Sequence, residues 1–320
     1  MKEYAFGIDL GGTTAKIGLF TTTGDLLEKW EVPTDTSDQG ARILPNLAAA
    51  VQDKMAQRSL RPDQIEGVGL GVPGPVQDSS VVAIVCANLG GWGDCDAGAQ
   101  LSQLLGGLRV QVGNDANVAA LGEIWMGAAK GCRSAVMVTL GTGVGGGAIL
   151  NGKLYTGFNY AGMEIGHFVI EHGGRLCTCG RRGCFEAYCS ATALIKRTRQ
   201  AMEEDRTSRL WELAGSLEGV NGRTPFDAAA QGDPAAGKVI DEYVDYLGCG
   251  VASLVNIFQP EVICIGGGPS AQGETLMAPV RYILNREDYA RNNLHRTRLV
   301  RAALGNDAGL IGAALLPLFR

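Results

Sequence analysis

The sequence predicts an α/β protein of two domains built on a duplicated mixed-sheet core. Three observations predict it. The text of residues 7–20, GIDLGGTTAKIGLF, returns at residues 137–150 as MVTLGTGVGGGAIL, an apolar run, a Gly/Thr turn and a second apolar run in each case. Other short apolar runs end in Gly-rich turns from which helical stretches begin. The length of 320 residues suits two domains, and a hydrophobic content of 46% suits a sizeable core.

Taken in order, Tyr4 to Leu10 is a strand and Gly11-Gly12-Thr13-Thr14 turns the chain. Ala15 to Phe20 and Leu26 to Val32 are strands joined at Thr23-Gly24-Asp25, which makes a β-meander. Asp38 can cap a helix reaching Gln57. Ile65 to Val72 is a strand ending in the rigid turn Gly71-Val72-Pro73-Gly74-Pro75. Leu108 to Gly113 is another strand, and a helix runs from Ala116 to Ala129. The meander returns from Ala135, with Asn151-Gly152 as its hairpin turn. Ser190 to Phe258 is mostly helical. Glu261 to Ile265 is a buried strand ahead of Gly266-Gly267-Gly268, and a helix follows from Glu274. A short strand at Arg298 to Ala302 precedes a final helix capped at Asn306-Asp307.

Composition narrows the function. The net charge of −5 and the lack of a basic patch argue against nucleic acid as a partner. No apolar run is long enough to span a bilayer, and the chain enters its first strand without a signal peptide, so a cytoplasmic location is expected. A reducing compartment makes the nine Cys free thiols or metal ligands rather than disulfides. The 47 Gly are clustered, which signals close backbone approach.

A Gly/Thr turn between strands gathers backbone N–H groups on one concave side, where phosphate oxygens can approach. Gly11, Gly12, Thr13 and Thr14 form one such turn, and Gly141, Thr142 and Gly143 another. Lys16 can add positive charge, and Asp9 stands where the Mg²⁺ of a nucleotide could sit. One such turn alone reads equally well as a tight hairpin; a matched pair in a duplicated unit reads as two nucleotide contacts. Residues 141–146 also fit G-x-G-x-x-G, yet a strand and turn follow instead of the helix that a dinucleotide site needs. Gly266, Gly267 and Gly268 could lie against a base or ribose, or serve as a plain strand-to-helix loop.

Cys177, Cys179 and Cys184 put three thiols into eight residues, and His167 lies ten residues upstream. Cys₃His is a tetrahedral zinc set, and a fully ligated ion is structural rather than catalytic. His172 is a rival fourth ligand on spacing alone. Glu164 and Glu186 flank the ligand set, and folding the loop on zinc would bring both carboxylates toward one place, suiting a polyhydroxyl ligand. Loss of zinc is therefore expected to weaken folding and the binding of such a ligand more than it touches the Gly/Thr turns. Asn114-Asp115 joins a strand end to a helix start. An Asp there can take the proton of an attacking hydroxyl and hold its oxygen in line, or simply cap the helix. Asn88 is a polar loop residue of open role.

Together these segments resemble the ROK family of sugar kinases and repressors, within the actin/hexokinase-like (ribonuclease H-like) superfamily. Asp9-Leu10-Gly11-Gly12-Thr13 resembles the first phosphate motif, and residues 140–147 the second. Asn114-Asp115-Ala116-Asn117 resembles the catalytic motif, and Glu164-Ile165-Gly166-His167 with residues 177–186 the sugar and zinc signature. The resemblance implies a small domain of residues 1–117 with 303–320, a larger domain of 118–302, and an active-site cleft between them that closes about two helices rich in small residues. It implies Asp115 as catalytic base, with Asn88, Asn114, Glu164, His167 and Glu186 facing the sugar. It selects His167 over His172 as zinc ligand. It implies ATP with Mg²⁺, a structural Zn²⁺, and a homodimer or homotetramer. The pattern is most like bacterial glucokinases, with other hexoses or N-acetylhexosamines as alternative substrates. A family repressor would carry a helix-turn-helix ahead of Asp9, where only eight residues stand. One stretch departs from the commoner glucokinase pattern: after Gly74-Pro75-Val76 an acidic residue and a Gly are expected, and Gln77-Asp78-Ser79-Ser80 stand there instead.

Overall fold

The computed structural model describes residues 2–318. By its contacts the chain divides into two compact units. One comprises residues up to 133, 147–163 and those from 303 onward; the other comprises 134–146 and 164–302.

The expected meander is present. Strands β1 (Tyr4–Leu10), β2 (Thr14–Thr21) and β3 (Leu26–Pro33) pair antiparallel in turn. Ala5, Phe6 and Ile8 of β1 are fully buried. The helix expected from Asp38 starts later. Asp38 and Gln39 have φ of +50° and +53° within a single 3-10 turn, so Asp38 lacks the extended backbone of an N-cap. Helix α1 runs Ile43–Gln57. Strand β4 (Ile65–Val72) lies parallel to β1. A small antiparallel sheet follows that was not expected, although β6 is an unbroken apolar run: β5 (Val76–Gln77), β6 (Val81–Cys86) and β7 (Trp92–Asp96). Helix α2 (Ala97–Leu104), also unanticipated, is capped by Asp96, which accepts from Ala99 N at 2.9 Å. Strand β8 (Val110–Asn114) completes the first sheet, in the order β3-β2-β1-β4-β8, and leads into α3 (Asp115–Met126).

The second pass repeats the plan. Strands β9 (Ala135–Leu140), β10 (Val144–Leu150) and β11 (Lys153–Tyr155) form the meander. Helices α4 (Glu186–Cys189), α5 (Ala191–Glu204), α6 (Leu210–Ala214), α7 (Thr224–Ala230) and α8 (Pro234–Phe258) follow. Then come β12 (Val262–Gly267), α9 (Glu274–Glu287) and β13 (Arg298–Arg301). This sheet has the order β11-β10-β9-β12-β13, the same plan as the first. The chain ends in α10 (Ala308–Leu315).

Two glycines show what the high Gly content is for. A Cβ on Gly69 of β4 would lie 1.7 Å from Ala313 O, so only glycine lets α10 rest on the first sheet. A Cβ on Gly312 would lie 1.6 Å from Val118 O, so α3 and α10 touch backbone to backbone. The departure at Gln77-Asp78-Ser79-Ser80 is built without glycine: Asp78 and Ser79 take φ of +49° and +55°. Asp78 also accepts a hydrogen bond from the Tyr160 hydroxyl. Among the described residues, no helix is long and apolar enough to cross a membrane.

Candidate active site

Asp115, Asn88, Asn114 and the first Gly/Thr turn belong to the first unit; Glu164, His167, Glu186, the cysteines, the second turn and the Gly triplet belong to the second.

In the first unit, Gly11 N donates to Thr14 O at 3.1 Å across the β1–β2 turn. Thr34, just after β3, braces it: Thr34 Oγ1 donates to Gly11 O at 2.8 Å, and Thr34 N to Thr13 O at 2.9 Å. Asn88 reaches this turn by its backbone, because a Cβ on Gly12 would lie 2.7 Å from Asn88 O. Asp9 and Lys16 are partners across β1 and β2. Lys16 Nζ donates to Asn306 O at 3.0 Å, and the Asp9 carboxylate lies against Gly309 near the start of α10. Burial pushes the Asp9 carboxyl above its ordinary value; Lys16 opposes this, while Asp115 and Asp307 add to it.

The cap of α3, which the sequence left open between Asn114 and Asp115, is Asn114. Asn114 is the N-cap of α3, its Oδ1 accepting from Ala116 N at 3.1 Å and Asn117 N at 3.2 Å. Its Nδ2 donates to Gly74 O at 3.2 Å, which ties the cap to the Pro73–Pro75 turn. Asp115 Oδ1 accepts from Ala116 N at 2.7 Å, and the side chain stays open to solvent. Partial desolvation by the groups around it still pushes its pKa up, against the hydrogen bonds from Ala116 and Asn114. A raised carboxyl is a better proton acceptor than an ordinary one.

In the second unit, Gly141 N donates to Gly143 O at 2.9 Å, a turn one residue tighter than the first. Ala191 N, at the start of α5, donates to Gly141 O at 2.8 Å. Two further segments meet this turn at Val144. A Cβ on Gly166 would lie 2.3 Å from Val144 O, which brings the Glu164–His167 stretch against it. Glu186 Oε2 accepts from Val144 N at 3.1 Å, and Glu186 Oε1 accepts from Thr178 Oγ1 at 2.8 Å. Gly266 and Gly267 are strand residues of β12, paired with Thr139 and Leu140 immediately before the turn. The expected loop triplet is thus mostly strand, and only Gly268 opens the following 3-10 turn. A 3-10 turn at Ile165–His167 directs His167 to the cysteines.

His167, Cys177, Cys179 and Cys184 have ligand atoms within 4.8 Å of one another. Cys177 Sγ is 3.6 Å from His167 Nδ1, and Cys179 Sγ is 3.7 Å from Cys184 Sγ. A tetrahedral zinc with Zn–S bonds of 2.3 Å has edges of about 3.8 Å, so the donor set fits that ion. His172 is not part of the cluster.

The chain matches the ROK family over residues 5–318. It belongs to the ROK family. A glucokinase of Halalkalibacterium halodurans is 40% identical over 313 residues, 97% of this chain and 93% of that protein. One of Thermotoga maritima is 38% identical over 317 residues, 98% and 96% of the two chains. Among solved structures, a ROK family glucokinase from Streptomyces griseus in complex with glucose and AMPPNP matches at 34% identity and a TM-score of 0.78, over 97% of this chain and 98% of that one. The ROK architecture, two α/β parts with mixed sheets in the actin/hexokinase-like manner, is the architecture found here.

Within this ROK chain the residue reading missed part of the second unit. A cavity of about 350 Å³ adjoins the second turn, lined by Thr142, Thr178, Glu186, Ser190, Lys196 and Gln200 among others. Lys196 and Gln200 lie on an amphipathic helix whose exposed face carried no motif, so nothing in the spacing marked them. Thr178 did carry a signal, since it stands between two predicted metal ligands.

Proposed function

We propose that this chain transfers the γ-phosphoryl group of ATP to the 6-hydroxyl of glucose, giving glucose 6-phosphate and ADP. The observation that carries the reading is the nearly full-length match to glucokinases at up to 40% identity. The crystal structure of a relative holding glucose and AMPPNP supports it. The sugar's O6 attacks the γ-phosphorus as the bond to the β–γ bridging oxygen breaks, and Asp115 takes the hydroxyl proton. Loss of that proton comes late, so Asp115 acts first by holding O6 in line. In this reading residues 1–117 with 303–320 carry the first phosphate turn and Asp115, and 118–302 carry the sugar and zinc residues.

Asn88, Asn114, Glu164, His167 and Glu186 would face the sugar. Asn114 would do so while capping α3, which makes it a positioning group for Asp115 as well. Gly11, Gly12, Thr13, Thr14 and Lys16 would meet phosphates from one turn, and Gly141, Thr142 and Gly143 from the other. The cavity beside Thr142, with Lys196 on its wall, has room for further nucleotide atoms, and Gly266, Gly267 and Gly268 at the end of β12 would lie against a base or ribose. Mg²⁺ bound with ATP would neutralise phosphate charge, and Asp9 is the carboxylate to help place it. His167, Cys177, Cys179 and Cys184 would hold a closed zinc that braces the loop. A homodimer or homotetramer is part of the same reading, checked by light scattering.

A coupled ADP-release assay over glucose, N-acetylglucosamine, N-acetylmannosamine, fructose and allose tests the substrate. Glucose should give the highest kcat/KM; a preference for another sugar replaces it. Asp115→Ala should lower kcat by roughly 10³-fold or more while glucose binding survives. Turnover within tenfold of the parent would exclude Asp115 as the base.

A further inference from the structure

Glu186 has two partners in the second unit, one on each side of a junction. Oε1 accepts from Thr178 Oγ1 at 2.8 Å and lies 3.5 Å from Cys177 Sγ, both on the metal-ligand loop. Oε2 accepts from Val144 N at 3.1 Å, on the second Gly/Thr turn. The carboxylate packs flat on that turn, since a Cβ on Gly143 would lie 2.3 Å from Oε2. Thr178 stands between Cys177 and Cys179, so a metal held by both fixes its backbone from either side. The cavity beside the turn is walled by Thr142, Cys177, Thr178, Glu186 and Lys196 together.

We propose that Thr178 is a positioning residue for the phosphoryl donor, which makes the zinc loop a support of the nucleotide turn and of the sugar pocket alike. The proposal rests on the reading that the second turn receives nucleotide phosphates. Two physical effects act in the same direction. A Gly-Thr-Gly turn is flexible, and fixing Val144 in advance lowers the ordering cost of binding an anion there. In addition, the Thr178 hydroxyl and the Val144 N–H hold the Glu186 carboxylate against the wall. Released from Thr178, it could swing into the cavity, pair with Lys196 and repel incoming phosphates. The hydroxyl is the working atom, so Val, which keeps the shape and loses the donor, is the informative replacement.

The test is the affinity of the zinc-loaded protein for Mg–AMPPNP without sugar, by calorimetry, with zinc content measured on the same samples. Thr178→Val should keep about one zinc per chain and weaken AMPPNP by roughly fivefold, the scale of one ordinary hydrogen bond. Thr178→Ser should restore binding to within about twofold of the parent. Parent-like affinity in a zinc-loaded Thr178→Val protein overturns the proposal, and so does a Ser variant as weak as the Val one. If the parent binds no AMPPNP, the kinase reading has failed instead. Amide hydrogen exchange of the parent at residues 141–144 then judges Thr178, and it also serves if Thr178→Val loses its zinc or fails to fold. Chelating the metal should speed exchange there, and unchanged protection sinks the proposal.

Discussion

The two Gly/Thr turns come from one repeated plan, yet they are held by different means. The β1–β2 turn is braced by Thr34, just after β3 of its own meander, and by the Asn88 backbone, from the link between β6 and β7, against Gly12. The β9–β10 turn is braced by groups from outside its meander, Glu186 of α4 and Ala191 of α5, and through Glu186 by Thr178 of the Cys₃His loop. Charge differs as well. Asp9 and Lys16 flank the first turn, and the residues 130 positions on are Thr139 and Gly146. Duplication preserved the strand-turn-strand frame. The supports diverged: a threonine of its own meander and a backbone of the small sheet hold one turn, while two helix starts and, through Glu186, the Cys₃His loop hold the other.

The largest effects should come from adding one methyl to each turn. A Cβ at Gly12 meets the backbone oxygen of Asn88 at 2.7 Å, and backbone cannot step aside cheaply. Gly12→Ala should cost about 1–3 kcal/mol in stability and lower kcat/KM for ATP by roughly tenfold or more. A Cβ at Gly143 meets the end of a Glu side chain, which can move. Gly143→Ala should unfold at nearly the parent's temperature while its KM for ATP rises. Thermal melts and steady-state kinetics on both variants decide it. Equal loss of stability would mean the two turns are braced alike.

Metal removal comes next. Arg181 and Arg182 are exposed within the Cys177–Cys184 loop. Trypsin should spare them in the zinc-loaded protein and cut there soon after chelation, while peptides covering residues 4–34 stay intact. Early cleavage inside the first meander would break the contrast. A smaller effect is expected from Thr34→Val, which removes the hydroxyl on Gly11 O. It should cost about 1 kcal/mol, raise KM for ATP severalfold, and act equally with and without chelator.

The same contrast shows what the sequence made legible. The repeated meander, the Asp115 position at a strand-to-helix junction and the Cys₃His set all rest on local pattern, and each is where the sequence places it. Asp38 failed as a helix cap because its backbone is left-handed, a property set by the turn it packs into. In the β5–β7 sheet, β6 is an apolar run legible in the sequence, while its partners are hidden: β5 has two residues and β7 is broken by Gly93, Asp94 and Asp96. For Glu186 the sequence marks only a carboxylate beside the metal-ligand spacing. Its hold on Val144 joins residues 42 positions apart and could not be seen before the loop and the turn were brought together.

The smallest effect concerns pH and should belong to the first turn alone. Burial raises the Asp9 carboxyl in the folded chain, with Asp115 and Asp307 adding to the shift and Lys16 opposing it. A carboxyl raised on folding binds its proton more tightly in the native state than in the unfolded one. Its contribution to stability is therefore complete below the unfolded value of about 4 and is lost as pH climbs through the higher folded value. Asn at this position does not titrate. Asp9→Asn should melt above the parent at pH 7.5, and the gap should close as the pH is lowered toward about 4. Melting is the right readout because the same variant is expected to lose Mg²⁺–ATP turnover at every pH. Thr139, the counterpart in the second sheet, carries no charge, and Thr139→Val should leave the pH dependence of melting as it is in the parent. A gap between Asp9→Asn and the parent that stays constant from pH 4 to 7.5 would show that Lys16 already cancels the burial of Asp9. The electrostatic difference between the two turns would then be one of sequence and not of energy.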